Sequence, residues 1–355
     1  MVGPERDKHW MHLAIEQAHK GIMTCSPNPP VGAVIVKEEK LLGVGWHQQA
    51  GRPHAEREAI ANALDHYTPE DLKGATIYVT LEPCSTQGRT PPCTAGIVDA
   101  GITRVVYGST DPNLLHAGAA EKILQAANIQ VSTDVCKDEC DRLIRAFSKV
   151  QQTSMPWVIL KSAISLDGST TRPPGEGQWL SSPESREIVH QLRNQVDAII
   201  TGGNTARIDN PSLTLRSKKV ISKNQPWRMV ITQGKKTDLP TDLKLFNDSH
   251  ADRTLVQENG DITSALKNLA DRGCNSVLVE AGGGLMAAFL EQQLADELVI
   301  FYAPLITGGV DIGFGNCTPK VELVEQQYTK IGNDVMLRAV VKRHKKTSDP
   351  QTVSP

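Results

Sequence analysis

Short apolar segments alternate with helical patterns along almost the whole chain, and this alternation constrains the fold more than any other feature. Apolar residues recur at helical spacing over 7–20 and 54–64, whereas segments such as 31–36 and 75–81 are short, apolar and typical of strands. Strands that alternate with helices build a sheet with helices on its faces. The sequence therefore predicts an α/β protein.

The length of the chain predicts two domains. It has 355 residues, which is more than a single hydrophobic core usually holds. A predicted helix over 138–150 is followed by polar residues and Pro156, and then the pattern restarts with a strand. We therefore predict one domain over residues 1–152, a second over residues 153–345 and a short tail over residues 346–355.

The second half repeats the alternation with other elements. Strands are predicted over 157–163, 198–201 and 276–279, and a helix over 285–293. The stretch that leads from the strand at 198–201 to Pro211 is predicted to be a loop. This half is therefore also an α/β unit.

Composition narrows the class of protein. The formal net charge is −2 and aromatic residues make up only 4% of the chain, so neither a nucleic-acid-binding surface nor a membrane surface is indicated. No apolar run reaches the roughly 20 residues that a membrane span needs, and the charged N-terminus lacks the apolar core of a signal peptide. Seven irregularly spaced cysteines argue against a disulfide framework. We therefore expect a cytoplasmic protein that acts on a small molecule.

Three residues have the composition of a catalytic zinc site. His54 begins a predicted helix, Cys84 follows a predicted strand, and Cys93 precedes the next helix. A catalytic zinc takes three protein ligands and keeps one position for water, whose pKa it lowers to about 7. A helix N-terminus also favours the thiolate that zinc requires. We therefore predict a zinc ion held by His54, Cys84 and Cys93.

Glu56 lies two residues after His54 and need not bind the metal. Its predicted role is general acid and base: it takes a proton from the attacking water and delivers protons to the ring nitrogen and the departing amine. Taken singly, each of these residues could be a core cysteine, a helix cap or a surface carboxylate. Together they are typical of a nucleobase deaminase.

The cysteine spacing separates this chain from other deaminases. Eight residues lie between Cys84 and Cys93, whereas many deaminases have only two between their zinc cysteines. The longer loop can cover a substrate larger than a bare base. Cys136 and Cys140 lie four apart on a predicted helix with no neighbouring His or Cys in the sequence, so no second metal site is predicted.

Several long motifs resemble one known family. They are PNPPVG at 27–32, GRPHAE at 51–56, TLEPCSTQGRTPPC at 80–93, LKSAISLDG at 160–168, GEGQWLS at 175–181, DNPSLTLR at 209–216 and VEAGGG at 279–284. Together they resemble the bifunctional riboflavin-biosynthesis deaminase–reductases over residues 8 to 340. The chain departs from the family pattern at Thr86-Gln87, Leu114, Ala120 and Gly177.

The resemblance implies two folds and two reactions. It implies a cytidine-deaminase-like α/β/α domain followed by a dihydrofolate-reductase-like α/β domain. The first would deaminate 2,5-diamino-6-(5-phosphoribosylamino)pyrimidin-4-one with Zn²⁺. The second would use NADPH to reduce the ribosyl group of 5-amino-6-(5-phosphoribosylamino)uracil to ribityl. We also expect a homo-oligomer.

The resemblance further assigns contacts residue by residue. It gives Asn28, His47 and Arg89 to the deaminase substrate, Arg193, Leu213, Arg216 and Glu280 to the reductase substrate, and Ala163, Trp179, Thr205 and Asp209 to the cofactor. Lys161 faces the same region and either polarises the reacting sugar or is a solvated strand lysine.

Three consecutive glycines complete the predicted cofactor site. Gly282, Gly283 and Gly284 lie between a strand and a helix, where backbone amides can bind a phosphate. They do not form the Gly-x-Gly-x-x-Gly pattern, so a Rossmann fold is not predicted. On the residues alone a structural turn is an equal alternative, and the resemblance favours the cofactor.

Two other functions stay open at this stage. One is a deaminase whose second domain has lost reduction and only binds or oligomerises. The other is a nucleic-acid base editor or binding module, which the neutral charge and the scarcity of aromatic residues disfavour.

Overall fold

The chain forms two sheets, one in each half, and both are covered by helices. The computed structural model describes residues 3–86, 91–113, 116–173, 175–177, 179–215, 225–308, 312–315 and 321–342. The first sheet has five strands and the second has eight. The predicted α/β class is therefore confirmed for both halves.

The first half contains a mixed sheet in the order β2-β1-β3-β4-β5. Strand β1 is antiparallel to β2 and β3, whereas β3, β4 and β5 are parallel. The elements are α1 (Pro4–His19), β1 (Gly32–Lys37), β2 (Lys40–Trp46), α2 (Ala55–Leu64), α3 (Pro69–Leu72), β3 (Thr76–Leu81), α4 (Cys93–Asp99), β4 (Arg104–Ser109), α5 (Ala119–Ala126), β5 (Gln130–Ser132) and α6 (Lys137–Thr153).

Helix α2 is seated on the sheet by small residues. Its buried face consists of Ala55, Ala59 and Ala63, which are fully shielded from solvent. A Cβ added to Gly45 would lie 2.3 Å from the Ala59 nitrogen, and one added to Gly43 would lie 2.4 Å from the Ala59 oxygen. Real Cβ atoms do not approach backbone this closely, so both glycines are required for this packing. They fix the start of α2, where His54 and Glu56 lie.

The second half contains a larger sheet in the order β12-β13-β11-β6-β10-β7-β8-β9. The strands from β11 through β9 run parallel, and β13 and β12 add antiparallel strands at one side. The elements are β6 (Trp157–Ile164), α7 (Pro183–Asn194), β7 (Ala198–Gly202), α8 (Gly203–Asp209), β8 (Trp227–Ile231), α9 (Lys244–Asn247), β9 (Thr254–Gln257), α10 (Ile262–Asp271), β10 (Ser276–Val279), α11 (Gly283–Glu291), β11 (Glu297–Tyr302), β12 (Leu323–Ile331) and β13 (Asp334–Val341).

The register of the parallel strands brings distant residues together. Val279, the last residue of β10, pairs with Leu160 of β6 on one side and Ile200 of β7 on the other. Glu280 follows directly, and its backbone N–H donates to the Ile200 oxygen at 2.9 Å. Glu280 therefore lies beside Lys161, one residue further along β6.

Helix α6 connects the two halves through buried ion pairs. Arg145 donates to Glu297 at 2.6 Å and its guanidinium lies 4.8 Å from the centre of the Trp157 ring. Lys149 donates to Asp296, at the start of β11. The Glu297 side chain is only 1% exposed, so the partners around it compensate a carboxylate that burial would otherwise destabilise.

Some elements differ from the sequence-based expectation. The stretch after β7 was predicted as a loop, but residues 203–209 form α8, which begins on glycine and therefore lacks a helical signature. The strands β11, β12 and β13 were not predicted. Seven of the nine residues of β12 are exposed, so the strand shows no apolar alternation.

The predicted domain boundary at 152/153 falls within the end of α6, which closes at Thr153, and β6 begins at Trp157. The predicted tail, residues 346–355, lies outside the described residues. Among the described residues, no helix combines the length and the apolar character needed to cross a bilayer.

Candidate active sites

The three predicted zinc ligands meet in the first half. His54 caps the N-terminus of α2 with an extended backbone, Cys84 lies in the loop after β3, and Cys93 is the first residue of α4. The Nδ1 atom of His54 lies 3.5 Å from the Cys84 sulfur and 3.4 Å from the Cys93 sulfur. One imidazole nitrogen therefore faces both sulfurs, and the three donor atoms lie close enough to hold one metal ion.

The electrostatics of this cluster favour a thiolate. The hydrogen bond from Cys93 lowers the pKa of the Cys84 thiol, and contact with His54 lowers it further. The backbone N–H of Cys93 also donates to the Cys84 sulfur at 3.3 Å. The same contact, together with burial, raises the pKa of Cys93. A metal ion would displace the proton that the pair shares.

Glu56 lies in the first turn of α2 and is 3% exposed. Burial raises its pKa above the usual carboxyl range, although the nearby His54 opposes the shift. A raised carboxyl pKa makes the neutral form more accessible, which suits a group that must both accept and release a proton. Glu56 therefore has the environment expected of an acid–base group beside the cluster.

Asn28 and His47 form a hydrogen-bonded pair next to His54. The side-chain N–H of Asn28 lies 2.9 Å from His47 Nε2, and His47 Nδ1 lies 3.0 Å from the Pro53 oxygen. Burial lowers the pKa of His47, which favours the neutral ring. A neutral ring that donates from Nδ1 accepts at Nε2, so the Asn28 amide is oriented with its nitrogen toward His47.

Glu82 is a positioning residue that the sequence analysis missed. It follows β3, is 5% exposed, and accepts from the backbone N–H groups of Asp111, Gly118 and Ala120 at 3.1 to 3.2 Å. Its carboxylate thereby ties the 111–120 segment to the loop that carries Cys84. A charged residue inside an otherwise apolar strand end was the available signal, but its partners lie 29 to 38 residues downstream.

The second half brings together Lys161, Arg193 and Glu280. Arg193 donates to both oxygens of Glu280, from Nε at 2.5 Å and from a terminal nitrogen at 3.0 Å. The Lys161 nitrogen lies 3.8 Å from Glu280. All three side chains are less than one fifth exposed, so Lys161 is not a solvated strand lysine.

Burial and ion pairing affect the carboxylate and the lysine of this cluster differently. Burial alone would raise the pKa of Glu280, but Arg193 and Lys161 together lower it to about 2. Burial lowers the pKa of Lys161, against the opposing pull of Glu280. The cluster therefore holds a firmly ionised carboxylate and an ammonium group that can give up its proton more readily than a surface lysine.

Neighbouring glycines of the predicted turn have different surroundings. Gly282 caps α11 and its N–H donates to the Thr205 hydroxyl at 3.1 Å. A Cβ on Gly283 would lie 2.2 Å from the Ile312 oxygen, whereas a Cβ on Gly284 would meet nothing within 4 Å. Gly283 is therefore needed for packing, and Gly284 borders open space.

The remaining predicted contacts lie on several elements of the second half. Ala163 lies in β6, Asp209 ends α8, Trp179 is 57% exposed, and Leu213 is buried in the core with a φ of +50°. The predicted residues Arg89 and Arg216 lie outside the described residues.

Both halves match known protein families. Residues 4–109 match the cytidine and deoxycytidylate deaminase zinc-binding region, and residues 156–337 match the RibD C-terminal domain. The riboflavin biosynthesis protein RibD of Aquifex aeolicus is 34% identical, with 94% of this chain and 98% of that protein covered. The Escherichia coli protein of the same name is 36% identical, with 94% and 99% covered. The chain belongs to the RibD family.

Solved structures agree with this assignment. Acinetobacter baumannii RibD superposes with a TM-score of 0.86 at 34% identity, covering 96% of this chain and all of that one. The diaminohydroxyphosphoribosylaminopyrimidine deaminase/5-amino-6-(5-phosphoribosylamino)uracil reductase of Thermotoga maritima has a TM-score of 0.83 at 32% identity, with 96% and 99% covered. The predicted RibD fold is confirmed: a zinc-dependent deaminase domain and an NADPH-dependent reductase domain of riboflavin biosynthesis.

Proposed function

We propose that the first half deaminates 2,5-diamino-6-(5-phosphoribosylamino)pyrimidin-4-one and that the second half reduces the ribosyl group of the product, 5-amino-6-(5-phosphoribosylamino)uracil, to ribityl. The observation that carries the deaminase assignment is the single His54 nitrogen that faces both cysteine sulfurs. The name of the Thermotoga maritima protein, which has this fold over nearly its whole length, supports the choice of substrate.

His54, Cys84 and Cys93 would hold the zinc ion. The donor set fits, because one imidazole and two thiols lie together and the pKa of Cys84 is already lowered by its neighbours. When bound, zinc supplies Lewis acidity that activates water for attack on the amino-bearing ring carbon.

Glu56 moves the protons of this reaction. Its carboxylate accepts one proton of the attacking water and passes it to the ring nitrogen, then accepts the second proton of the same oxygen as the carbonyl forms and passes it to the amine, which leaves as ammonia. The raised pKa of Glu56, caused by burial, matches this task because the group must be neutral at one stage and ionised at another.

Asn28 and His47 orient the pyrimidine. His47 accepts from the Asn28 amide nitrogen, which leaves the amide oxygen of Asn28 to accept from an amino or ring N–H group of the substrate. Arg89 stays a predicted phosphate contact of the same substrate.

Lys161 acts on the sugar in the second half. Its ammonium group polarises the oxygen of the ribosyl carbon that is reduced and donates a proton to it, while Glu280 orients the Lys161 and Arg193 side chains. Arg193, Leu213 and Arg216 stay predicted substrate contacts. This buried, ion-paired lysine favours an active reductase over a domain that has lost its chemistry.

The cofactor would lie against α11. The N–H groups in the first turn of α11, after Gly282, suit a phosphate, and the open space beside Gly284 leaves room for it. Thr205, Gly283, Ala163, Trp179 and Asp209 complete the predicted cofactor contacts. When bound, NADPH supplies the hydride. The homo-oligomer, the cytoplasmic location and the domain limits at 152/153 and 345/346 also stay predictions.

Metal content and ammonia release test the deaminase assignment. Wild-type protein dialysed against a chelator should keep one zinc ion per chain by elemental analysis and release ammonia from the diaminopyrimidine. A variant with Cys84→Ser and Cys93→Ser should lose both properties, whereas Cys274→Ala, which removes a buried cysteine of the other half, should keep them. Full zinc content in the double variant would refute the ligand assignment.

A further inference from the structure

A second group of metal-ligating side chains lies in the first half, and the proposed reactions do not use it. His12 comes from α1, and Cys136 and Glu139 come from the start of α6. These two helices supply none of the deaminase ligands. Residue spacing could not reveal this group, because His12 lies 124 residues before Cys136.

The three donor atoms converge on one point. The Nε2 atom of His12 lies 3.2 Å from a carboxylate oxygen of Glu139 and 3.8 Å from the Cys136 sulfur. A tetrahedral zinc ion with the usual bond lengths sets nitrogen and oxygen ligands about 3.4 Å apart, and nitrogen and sulfur ligands about 3.6 Å apart. The observed separations differ from these values by only a few tenths of an ångström.

The backbone fixes two of the ligands on one side of α6. Cys136 is the residue that caps α6, with a φ of +53°, and the Glu139 N–H donates to the Cys136 oxygen at 3.1 Å. Residues three apart at the start of a helix face the same way. One turn further, a Cβ on Gly108 would lie 2.2 Å from the Cys140 sulfur, so α6 packs tightly against β4.

Helix α1 is held equally firmly. Met11 and Ala14, on either side of His12 in the sequence, are fully buried. A Cβ on Gly32 would lie 2.0 Å from the Ala14 oxygen, so α1 rests directly on the backbone of β1. The backbones of both helices are therefore packed in place before any ligand binds, so only the three side chains would have to be ordered around a metal ion.

We propose that His12, Cys136 and Glu139 form a second binding site for a zinc-like transition metal ion, distinct from the deaminase site. One sulfur, one imidazole nitrogen and one carboxylate oxygen suit Zn²⁺ or Co²⁺ and not Mg²⁺ or Ca²⁺, which prefer oxygen ligands. The side chains of His12 and Glu139 are 51% and 42% exposed, so water completes the coordination. An ion there would link α1 to α6.

Metal stoichiometry tests this proposal. Wild-type protein that already holds its deaminase zinc is dialysed against micromolar Zn²⁺, and the bound metal is counted by elemental analysis. We expect two ions per chain in the wild type and one in His12→Asn and in Cys136→Ser. Two matched controls, His9→Asn on α1 and Cys140→Ala on α6, should still bind two. Ammonia release should be unchanged in all four variants, so the result is independent of the deaminase assignment.

A spectroscopic measurement identifies the ligand. Co²⁺ added to wild-type protein that holds zinc only at the deaminase site should produce sulfur-to-cobalt charge-transfer absorbance, which Cys136→Ser should abolish and Cys140→Ala should keep. Binding of only one ion by the wild type would overturn the proposal. So would a second ion that persists in both His12→Asn and Cys136→Ser, or that is lost equally in the controls, because these results describe non-specific surface binding.

Discussion

The two active sites differ in how the chain assembles them. The deaminase donors His54, Cys84 and Cys93 lie within 39 residues of one another and sit at the ends of neighbouring elements of one sheet. In the reductase site, Lys161 and Glu280 meet only through the register of parallel strands, and Arg193, which lies 87 residues before Glu280, comes from helix α7. The first site can therefore be recognised in the sequence as a local motif, whereas the second can be recognised only when the strands of the sheet are in place.

The sites also use burial differently. In the deaminase site, burial raises the pKa of a single carboxyl group, Glu56, and prepares it for proton transfer. In the reductase site, burial forces a lysine, an arginine and a carboxylate into mutual ion pairs. The deaminase site therefore depends on one carboxyl group whose pKa is raised by burial, and the reductase site depends on a charge balance in which each member supports the rest.

The largest expected effect separates the two chemistries. Glu56→Gln should reduce ammonia release by about 10²–10⁴-fold, because glutamine has nearly the same shape but cannot transfer protons. Zinc content should be unchanged, and NADPH oxidation with pre-deaminated substrate should persist. Glu58→Gln, two residues along α2, is the matched control and should behave like wild type. If Glu56→Gln stays within a few fold of wild type, Glu56 is not the proton-transfer group.

The reciprocal variant tests the second site. Lys161→Met keeps the length of the side chain but removes its charge, so NADPH oxidation should decrease by about 10²-fold. Ammonia release should be unaffected, because Lys161 lies in the other half of the chain. Lys267→Met, an exposed lysine on α10, serves as the control. A wild-type reductase rate for Lys161→Met would show that Lys161 has only a structural role.

Substitutions of two neighbouring glycines test where the cofactor binds. Gly283→Ala should lower the free energy of unfolding by about 1–3 kcal/mol, because its Cβ would overlap the Ile312 oxygen. Gly284→Ala should leave stability unchanged or slightly higher, since alanine suits a helix better. It should nevertheless raise the KM for NADPH. Chemical denaturation and steady-state kinetics on both variants measure this, and an unchanged KM in Gly284→Ala would move the cofactor away from α11.

The smallest effect concerns pH and stability. Hydrogen bonds from the buried Arg228 lower the pKa of Asp248. A lowered carboxyl pKa contributes stability above the unfolded value of about 3.9 and loses it as the pH falls through the folded value. Asp248→Asn should therefore cost about 1 kcal/mol at pH 7, and the difference from wild type should shrink below pH 3.9.

Denaturant unfolding at several pH values measures this difference. Asp242→Asn, which removes an exposed carboxylate nearby, is the control and should match the wild type throughout. A difference between Asp248→Asn and wild type that is constant from pH 7 down to pH 3 would contradict the ion-pair account.

Local signals predicted most of the fold. Helix α2 and the hairpin of β1 and β2 follow directly from apolar periodicity, and the zinc donors follow from residue types at helix starts. Helix α8 could not be predicted this way, because a Cβ on Gly203 would lie 2.9 Å from the Thr232 hydroxyl and packing, not propensity, sets its start. Strand β12 is exposed along most of its length, so it carries no apolar pattern.

Long-range contacts explain what the sequence did not reveal in the sites. Glu82 is recognisable as a positioning residue only when the amides of Gly118 and Ala120 are seen beside it. The group of His12 and Cys136 likewise exists only because α1 and α6 lie side by side. Such contacts arise from tertiary structure, which local propensity and residue spacing do not predict.

If one chain carries two independent catalytic sites, a paired assay on one wild-type preparation should detect both activities. Ammonia release is measured with the diaminopyrimidine substrate, and NADPH oxidation is measured separately with the pre-deaminated product. We expect ammonia release and NADPH oxidation to be present in the same preparation. Zinc-loaded protein that releases ammonia but leaves NADPH unoxidised with the pre-deaminated substrate would contradict it, and would leave the second domain as a binding or oligomerisation module.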